Sequence, residues 1–402
     1  MHVTGMLEGV RIIDMTLVVM GPYATQILGD FGADVIKIES PAGDTTRKIG
    51  PMRNPDMGNA FLHLNRNKRS VVLDLKQPAA LDAFYQLARG ADVLVSNVRP
   101  KAMARLGITA ERLARENPKL VSASLVGFAQ NGPYAARPVY EDLMQGLTAV
   151  PNMLMTAGAD HPIYVPMAFN DRAVGLYAAN AILAALYRVA KTGRGMAIEI
   201  PMFETTAFGT LVEHMGGVTF EPPAGPTGYA RSLNPERRPF ATRDGHVCAV
   251  IYTDAHWRSF MKLIGREVEF DANPQLRDLT ARTVHAHAVY ALIGEAMKAR
   301  TTAEWLDALD KADIPAAPVH TLDSLMEDPH LKATGFFKVV DHPTEGKIRE
   351  MSIPGTWSED PPAIRRRAPR LGEHTLEVLR EAGLDQSQID AMVATGAARA
   401  AK

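Results

Sequence analysis

Between Val10 and Pro201 short β-branched runs alternate with stretches of helical spacing. Val10 to Met15 reads as a buried strand, and Gly21-Pro22 then opens a helix with proline near its first turn. Asp34 to Glu39 is the next strand, with Ser40-Pro41-Ala42-Gly43 as a loop behind it. Ser70 to Leu75 reads as a third strand, Pro78 to Arg89 as a helix, and Asp92 to Ser96 as a fourth strand ending in Asn97-Val98-Arg99-Pro100. Lys119 to Gly127 gives a fifth. Strands and helices alternating at this spacing predict a parallel α/β sheet with ligands at the carboxyl ends of its strands.

Asn170 to Val189 is an Ala-rich helix whose apolar residues cover most of its circumference, which predicts burial rather than an amphipathic surface helix. Thr192-Gly193-Arg194-Gly195 stops it and Met196 to Pro201 returns as a strand. The clearest linker is Pro222-Pro223-Ala224-Gly225-Pro226-Thr227-Gly228. Beyond it, a strand over Gly245 to Tyr252 and several helices up to Asp313 predict a smaller α+β domain. Asp313 to Val319 reads as the way back. The tail is basic at Arg365-Arg366-Arg367, then helical over Glu373–Glu381 and Gln386–Val393. The expected division is therefore 1–221 as the first part of a large α/β domain, 222–318 as the small domain, and 319–402 as the segment completing the large one.

Length and charge narrow the classes of function. A chain of 402 residues has room for two or three domains. With 44 Lys plus Arg against 45 Asp plus Glu, it lacks the basic excess of a nucleic-acid binder. A hydrophobic share of 46% can bury a large core. One cysteine, Cys248, excludes an internal disulfide framework; inside a predicted strand with no basic cluster beside it, it is expected to be buried and inert. Met1 to Met6 lacks the basic and apolar regions of a secretory signal. The uncharged runs Leu143–Ala159 and Ala173–Tyr187 fall short of a membrane span, so a cytoplasmic location is expected.

Several chemistries drop out. There is no GxxxxGK[ST] loop and no HExxH, and the turn Thr16 to Pro22 lacks GxGxxG. His285 and His287 lie two apart in a predicted helix and face different ways, so no metal is expected there. Asp171 is more informative. It stands with Asn170 where the loop Pro162–Ala168 meets the Ala-rich helix, and the helix's positive end is expected to lower its pKa and keep it ionised. Spacing alone leaves two roles open, a nucleophile or a plain helix cap.

From Leu7 to Gly396 the chain resembles the family III CoA-transferases, the group of formyl-CoA transferase and carnitine CoA-transferase. The matching stretches include Leu7-Glu8-Gly9-Val10-Arg11, Phe31 to Glu39, Leu64 to Ser70 running on to Leu73-Asp74-Leu75-Lys76, and Ala91 to Val95 with Asn97, Arg99-Pro100 and Arg105-Leu106-Gly107. Gly175-Leu176, Leu183 to Leu186, Thr192 to Gly195 and Pro369 to Thr375 complete the set. The resemblance puts the catalytic aspartate on Asp171. It puts CoA contacts on Val18 and Val19, on Leu73, Asp74, Leu75 and Lys76, on Asn97, Val98 and Arg99, on Arg105, and on Tyr140 and Glu141. Arg99 and Arg105 suit the CoA phosphates. Ser40 departs from the arginine that some transferases carry there. The glycine-rich loop of formyl-CoA transferase has no counterpart, Gly225 to Arg238 occupying its place, so oxalate specificity is not expected.

What the resemblance implies is CoA transfer from an acyl-CoA to a free acid through an aspartyl–CoA thioester, with no permanently bound cofactor or metal, by an interlocked, ring-shaped homodimer. Backbone N–H groups at the start of the Asp171 helix are candidates for stabilising the oxyanions. Arg231, Arg237 and Arg238 offer cations for a second carboxylate, which favours a dicarboxylate such as succinate. The alternative is an α-methylacyl-CoA racemase, which shares this fold and the aspartate but pairs it with a histidine. The corresponding stretch, Arg137-Pro138-Val139-Tyr140-Glu141-Asp142, has none.

Overall fold

Neighbouring residues of the central strands are buried on opposite faces. Ile12, Val35, Val93 and Val121 pack on one side of the sheet, while Ile13, Ile36 and Leu94 pack on the other, and all seven are at most 2% exposed. A strand covered on both faces must be apolar at consecutive positions, and that requirement produces the unbroken runs of the sequence. In the computed structural model, which describes residues 5–401, the parallel strands are β1 (Arg11–Met15), β2 (Asp34–Glu39), β3 (Lys68–Leu73), β4 (Val93–Ser96), β5 (Val121–Val126) and the more exposed edge strand β6 (Met196–Pro201). Residues 1–4, on which part of the signal-sequence reading rests, and residue 402 lie outside the described part.

Six strands run parallel, and a short β12 (Ala398–Arg399) joins the β3 edge antiparallel, in the order β12-β3-β2-β1-β4-β5-β6. The order reverses between β1 and β4. Loops leaving the two strands diverge there and open a crevice at the strands' carboxyl ends, the usual ligand position in such sheets. On one face lie the helix Pro78–Arg89 and the C-terminal helices Thr375–Glu381 and Gln386–Thr395. On the other lie Met20–Asp30 and Phe169–Thr192. The Phe169–Thr192 helix presents Val174, Ala178, Ile182 and Ala185 at helical spacing to that core. Burial on all sides is not observed: Leu176, Tyr177 and Tyr187 on its other side are exposed.

Under the β1 loop lies a network of fully buried charges. The Asp14 carboxylate accepts from Lys68 Nζ at 2.9 Å, Thr25 Oγ1 at 2.7 Å and the Thr16 N–H at 2.8 Å. Lys37 Nζ donates to the Thr16 carbonyl at 2.7 Å and sits 3.0 Å from Asp44 Oδ2. Arg47 grips Glu39 with Nε and Nη2 at 2.8 and 2.7 Å. Burial pushes the Asp14 carboxyl up, but Lys68, Lys37 and the threonine hydroxyls outweigh it and hold the pKa at about 2. Burial wins at Lys68, which is held down to about 8 despite Asp14.

The chain forms two compact units, one of residues 1–144, 166–207 and 332–402, the other of 145–165 and 208–331. These bounds differ from those read in the sequence: 145–165 groups with the second unit, the break falls at 207 rather than 221, and the return at 332 rather than 319. The second unit holds the antiparallel sheet β7 (Phe240–Ala241), β8 (His246–Ala249) and β9 (Ala316–Pro318) over a core containing Trp257, Phe260 and Trp305. Cys248 lies in the expected strand but is exposed, contrary to the buried thiol expected, because alternate β8 positions point away from that core. A hairpin of β10 (Phe337–His342) and β11 (Gly346–Met351), absent from the sequence reading, belongs to the first unit.

Removing one partner of a buried ion pair strands the other. Lys68→Met should therefore destabilise the protein by about 3–5 kcal/mol in urea denaturation, and the double variant Asp14→Leu/Lys68→Met should recover much of that loss.

Candidate active site

A cavity of about 380 Å³ opens at the β1/β4 reversal, with walls from Leu17–Met20 after β1, Asn97–Pro100 after β4 and Leu125–Gly127 at the end of β5. Its first wall is held in an unusual shape. Val18 has φ of 70°, costly for a β-branched residue, and survives because its surroundings fix it. Its N–H meets Asp44 Oδ1 at 3.3 Å, and the neighbouring Leu17 exchanges two hydrogen bonds with the Asn97 side chain, at 2.9 and 2.8 Å. The buried charges thus reach the cavity through Asp44 and the Thr16 carbonyl. Asn97, expected as a CoA contact, spends its amide on locking this loop.

Asp171 faces the cavity from the first turn of the Phe169–Thr192 helix. The helix is pressed close to the β1 loop, since a Cβ on Gly175 would lie 2.7 Å from the Met20 carbonyl oxygen. Asp171 is not its cap. The capping carboxylate is Glu141, which accepts from the Asn170 N–H at 3.3 Å and the Asp171 N–H at 2.9 Å. These two N–H groups are consequently engaged, and not the oxyanion donors expected from sequence. The Asp171 carboxylate itself accepts no hydrogen bond among the described residues.

The electrostatics reverse the expectation from the helix end. Burial, reinforced by the negative charge of Glu141 and only partly opposed by Arg172, raises the Asp171 pKa to about 6. The group is still mostly ionised at neutral pH. It is a half-buried carboxylate that no described side chain or backbone N–H stabilises, which suits a nucleophile.

Of the expected residues, Val18, Val19, Asn97, Val98, Arg99, Tyr140, Glu141 and Asp171 all line this one cavity. Leu73, Asp74, Leu75, Lys76 and Arg105 do not. Leu73 is buried at the end of β3, two strands from β1, and Asp74 turns back on its own loop to accept from the Lys76 N–H and Gln77 Nε2. Arg105 is exposed at the end of the helix Pro100–Arg105. Arg137, Gln130 and Met202, which no sequence motif marks, also line the cavity. Arg137 stacks 4.0 Å over the Tyr134 ring and gives the site a second cation beside Arg99. It lies in an aperiodic stretch that offered no signal beyond its charge. No histidine lines the cavity.

Residues 7–375 match the family described as CoA-transferase family III. The chain is 34% identical to a formyl-CoA:oxalate CoA-transferase of Rhodopseudomonas palustris, over 98% of this chain and 97% of that one. It is 31% identical to a succinate–glutarate CoA-transferase of Agrobacterium fabrum, over 93% and 95%. Among solved structures, a CaiB/BaiF family protein from Brucella suis superposes with a TM-score of 0.78 at 28% identity, covering 94% of this chain and all of the other. The chain belongs to CoA-transferase family III. It is a transferase that moves CoA from an acyl-CoA to a carboxylic acid, with CoA thioesters as its substrates.

Two outcomes follow from the raised Asp171 pKa. The free enzyme should lose kcat/KM as pH falls through about 6, and Glu141→Gln, which removes the adjacent charge, should move that inflection to lower pH. The folded-state pKa lies above the ordinary value of 3.8, so the ionised carboxylate burdens the fold above pH 6 and ceases to do so below 3.8. Asp171→Asn should therefore stabilise the protein at pH 7.5, by at most about 3 kcal/mol, with the gain vanishing near pH 4 in thermal unfolding.

Proposed function

We propose that Asp171 is the nucleophile on which CoA is held during transfer. The observation that supports this best is a half-buried carboxylate of raised pKa, accepting no hydrogen bond from the described residues and facing a cavity at the sheet's reversal point. One carboxylate oxygen attacks the donor's thioester carbonyl. The C–S bond breaks, leaving CoA thiolate and an Asp171–acyl anhydride. The thiolate then attacks Cγ of Asp171, releasing the donor acid as carboxylate and forming an aspartyl–CoA thioester. The acceptor carboxylate attacks the same carbon and expels the thiolate, which takes the acceptor's acyl group and returns Asp171 as a carboxylate. No net proton is consumed, and each step only exchanges one acyl bond for another. Arg99 and Arg137 are positioned to pair with CoA phosphates, while Val18, Val19, Val98 and Tyr140 offer walls for the pantetheine arm. Leu73–Lys76 and Arg105 are proposed as outer contacts for the nucleotide end.

The acceptor is proposed to be a dicarboxylate such as succinate. The name of the Agrobacterium relative supports this class; Arg231, Arg237 and Arg238 lie in the second unit and do not line this cavity. A cytoplasmic enzyme working as an interlocked, ring-shaped homodimer is the accompanying proposal, each ring combining a Rossmann-like large domain with a small α+β domain. Exposed Phe208 and Val212, together with Tyr177 and Tyr187, are apolar surface that a second copy would cover. The racemase alternative needs a histidine partner for Asp171, which the cavity lining does not supply.

Asp171→Ala should lower CoA transfer at least about a thousandfold while CoA binding persists. In deuterated water a 2-methylacyl-CoA should show no enzyme-dependent exchange at its α-carbon, and rapid exchange would reassign the reaction to isomerisation. Mass photometry at nanomolar protein should show dimers only, because interlocked rings cannot separate without unfolding; a monomer peak would remove the interlocked assembly.

A further inference from the structure

The second unit contains a cavity of its own, of about 270 Å³, sharing no residue with the Asp171 site. Four arginines line it, Arg231, Arg237, Arg238 and Arg282, and no aspartate or glutamate does. Three of the four come from the nine residues that precede β7. The fourth is only 5% exposed. Arg282 donates through Nη1 to the Leu276 carbonyl at 2.7 Å and through Nη2 to the Asp254 carboxylate, but its Nε–H is buried without a partner among the described residues. Leaving such a donor unpaired costs about 1–3 kcal/mol, so an acceptor oxygen brought by a ligand would be favoured there. Nearby acids leave the cluster positive: half-buried Glu236 pairs with exposed Arg238 at 3.3 Å, Asp254 pairs with Arg282, and Arg237 has no ion-pair partner among the described residues.

The rest of the lining is apolar. Phe240, Ile251, Val289 and Ile293 form a floor continuous with the unit's core, and Tyr252, under the Arg231 guanidinium at 5.6 Å, closes one side. A lining that combines arginines with hydrocarbon suits an amphipathic occupant.

We propose that this cavity, whose lining shares no residue with the Asp171 site, binds a small organic anion, a carboxylate or phosphate head on an apolar body on the order of ten non-hydrogen atoms. The arginines hold the head by charge-assisted hydrogen bonds, and the body displaces water from the apolar floor. The inference does not depend on Asp171 being the nucleophile.

Cys248, exposed and on the lining of this cavity, is the chain's single cysteine and reports occupancy directly. The full-length protein is alkylated with iodoacetamide, and Cys248 modification is followed by mass spectrometry with hexanoate, benzoate, phenyl phosphate or inorganic phosphate present. Hexanoate, benzoate or phenyl phosphate should slow modification saturably while inorganic phosphate, lacking the apolar body, protects poorly. The relative strength of the carboxylates and phenyl phosphate identifies the head group. The double variant Arg237→Gln/Arg238→Gln, altered only at exposed positions, should weaken protection at least about tenfold, whereas Asp171→Asn should leave it unchanged. No protection by any organic probe at millimolar concentration, or equal protection in the double variant, would overturn the proposal.

Discussion

The start of the Phe169–Thr192 helix carries two carboxylates where its dipole would suit one. Glu141 takes two of the helix's first N–H groups, and Asp171 is left half-buried, facing the cavity with no hydrogen bond from the described residues. Everything that makes the site chemically useful depends on this division. A capping carboxylate is held low in energy by the N–H groups it accepts from and is correspondingly poor as a nucleophile. By handing the cap to a residue thirty positions earlier, the fold leaves Asp171 ionised yet poorly stabilised. The burden is borne by the apolar packing of Val174, Ala178 and Ile182, which anchors the helix against the sheet regardless of what happens at its end.

The opposite wall is fixed by a different means. A valine at φ of 70° would relax if its flanking residues were free. They are not, because Asp44, Lys37 and Asn97 tie down the backbone from Thr16 to Val18. Buried ion pairs contribute little net stability compared with apolar residues of the same size. Here they give a rigid loop beside a reactive carboxylate, and Gly175 lets the two walls approach to backbone contact. Rigidity on both sides suits the proposed reaction, in which the same carbon of Asp171 is attacked twice from positions that must not drift.

Much of this was legible in the sequence, and the failures share a physical cause. Strands β2 and β6 and the helix Pro78–Arg89 fall where their patterns put them: β2 is buried on both faces, β6 is an edge strand bounded by Gly195 and Pro201, and the helix starts at a proline and buries one face. Strand β3 begins two residues earlier than read, at Lys68 and Arg69, whose charges looked like loop. Both are buried only because Asp14, Asp34 and Glu381 arrive from distant segments to pair with them. The direction of the Asp171 shift was misjudged for the same reason. The helix dipole is local and visible, whereas desolvation and Glu141 are contributed by the fold. Cys248 looked buried since a strand's pattern does not say which of its faces a neighbouring sheet will cover.

The most direct measurement is capture of the bond on Asp171. The enzyme is mixed with an acyl-CoA donor in hydroxylamine, digested, and its carboxylate-containing peptides are analysed by tandem mass spectrometry. If Asp171 carries the anhydride and thioester, it alone becomes a hydroxamate, only when donor is present, and Glu141 beside it stays unmodified. A hydroxamate on another carboxylate, or full turnover with Asp171 unlabelled, would show that CoA passes through some other group.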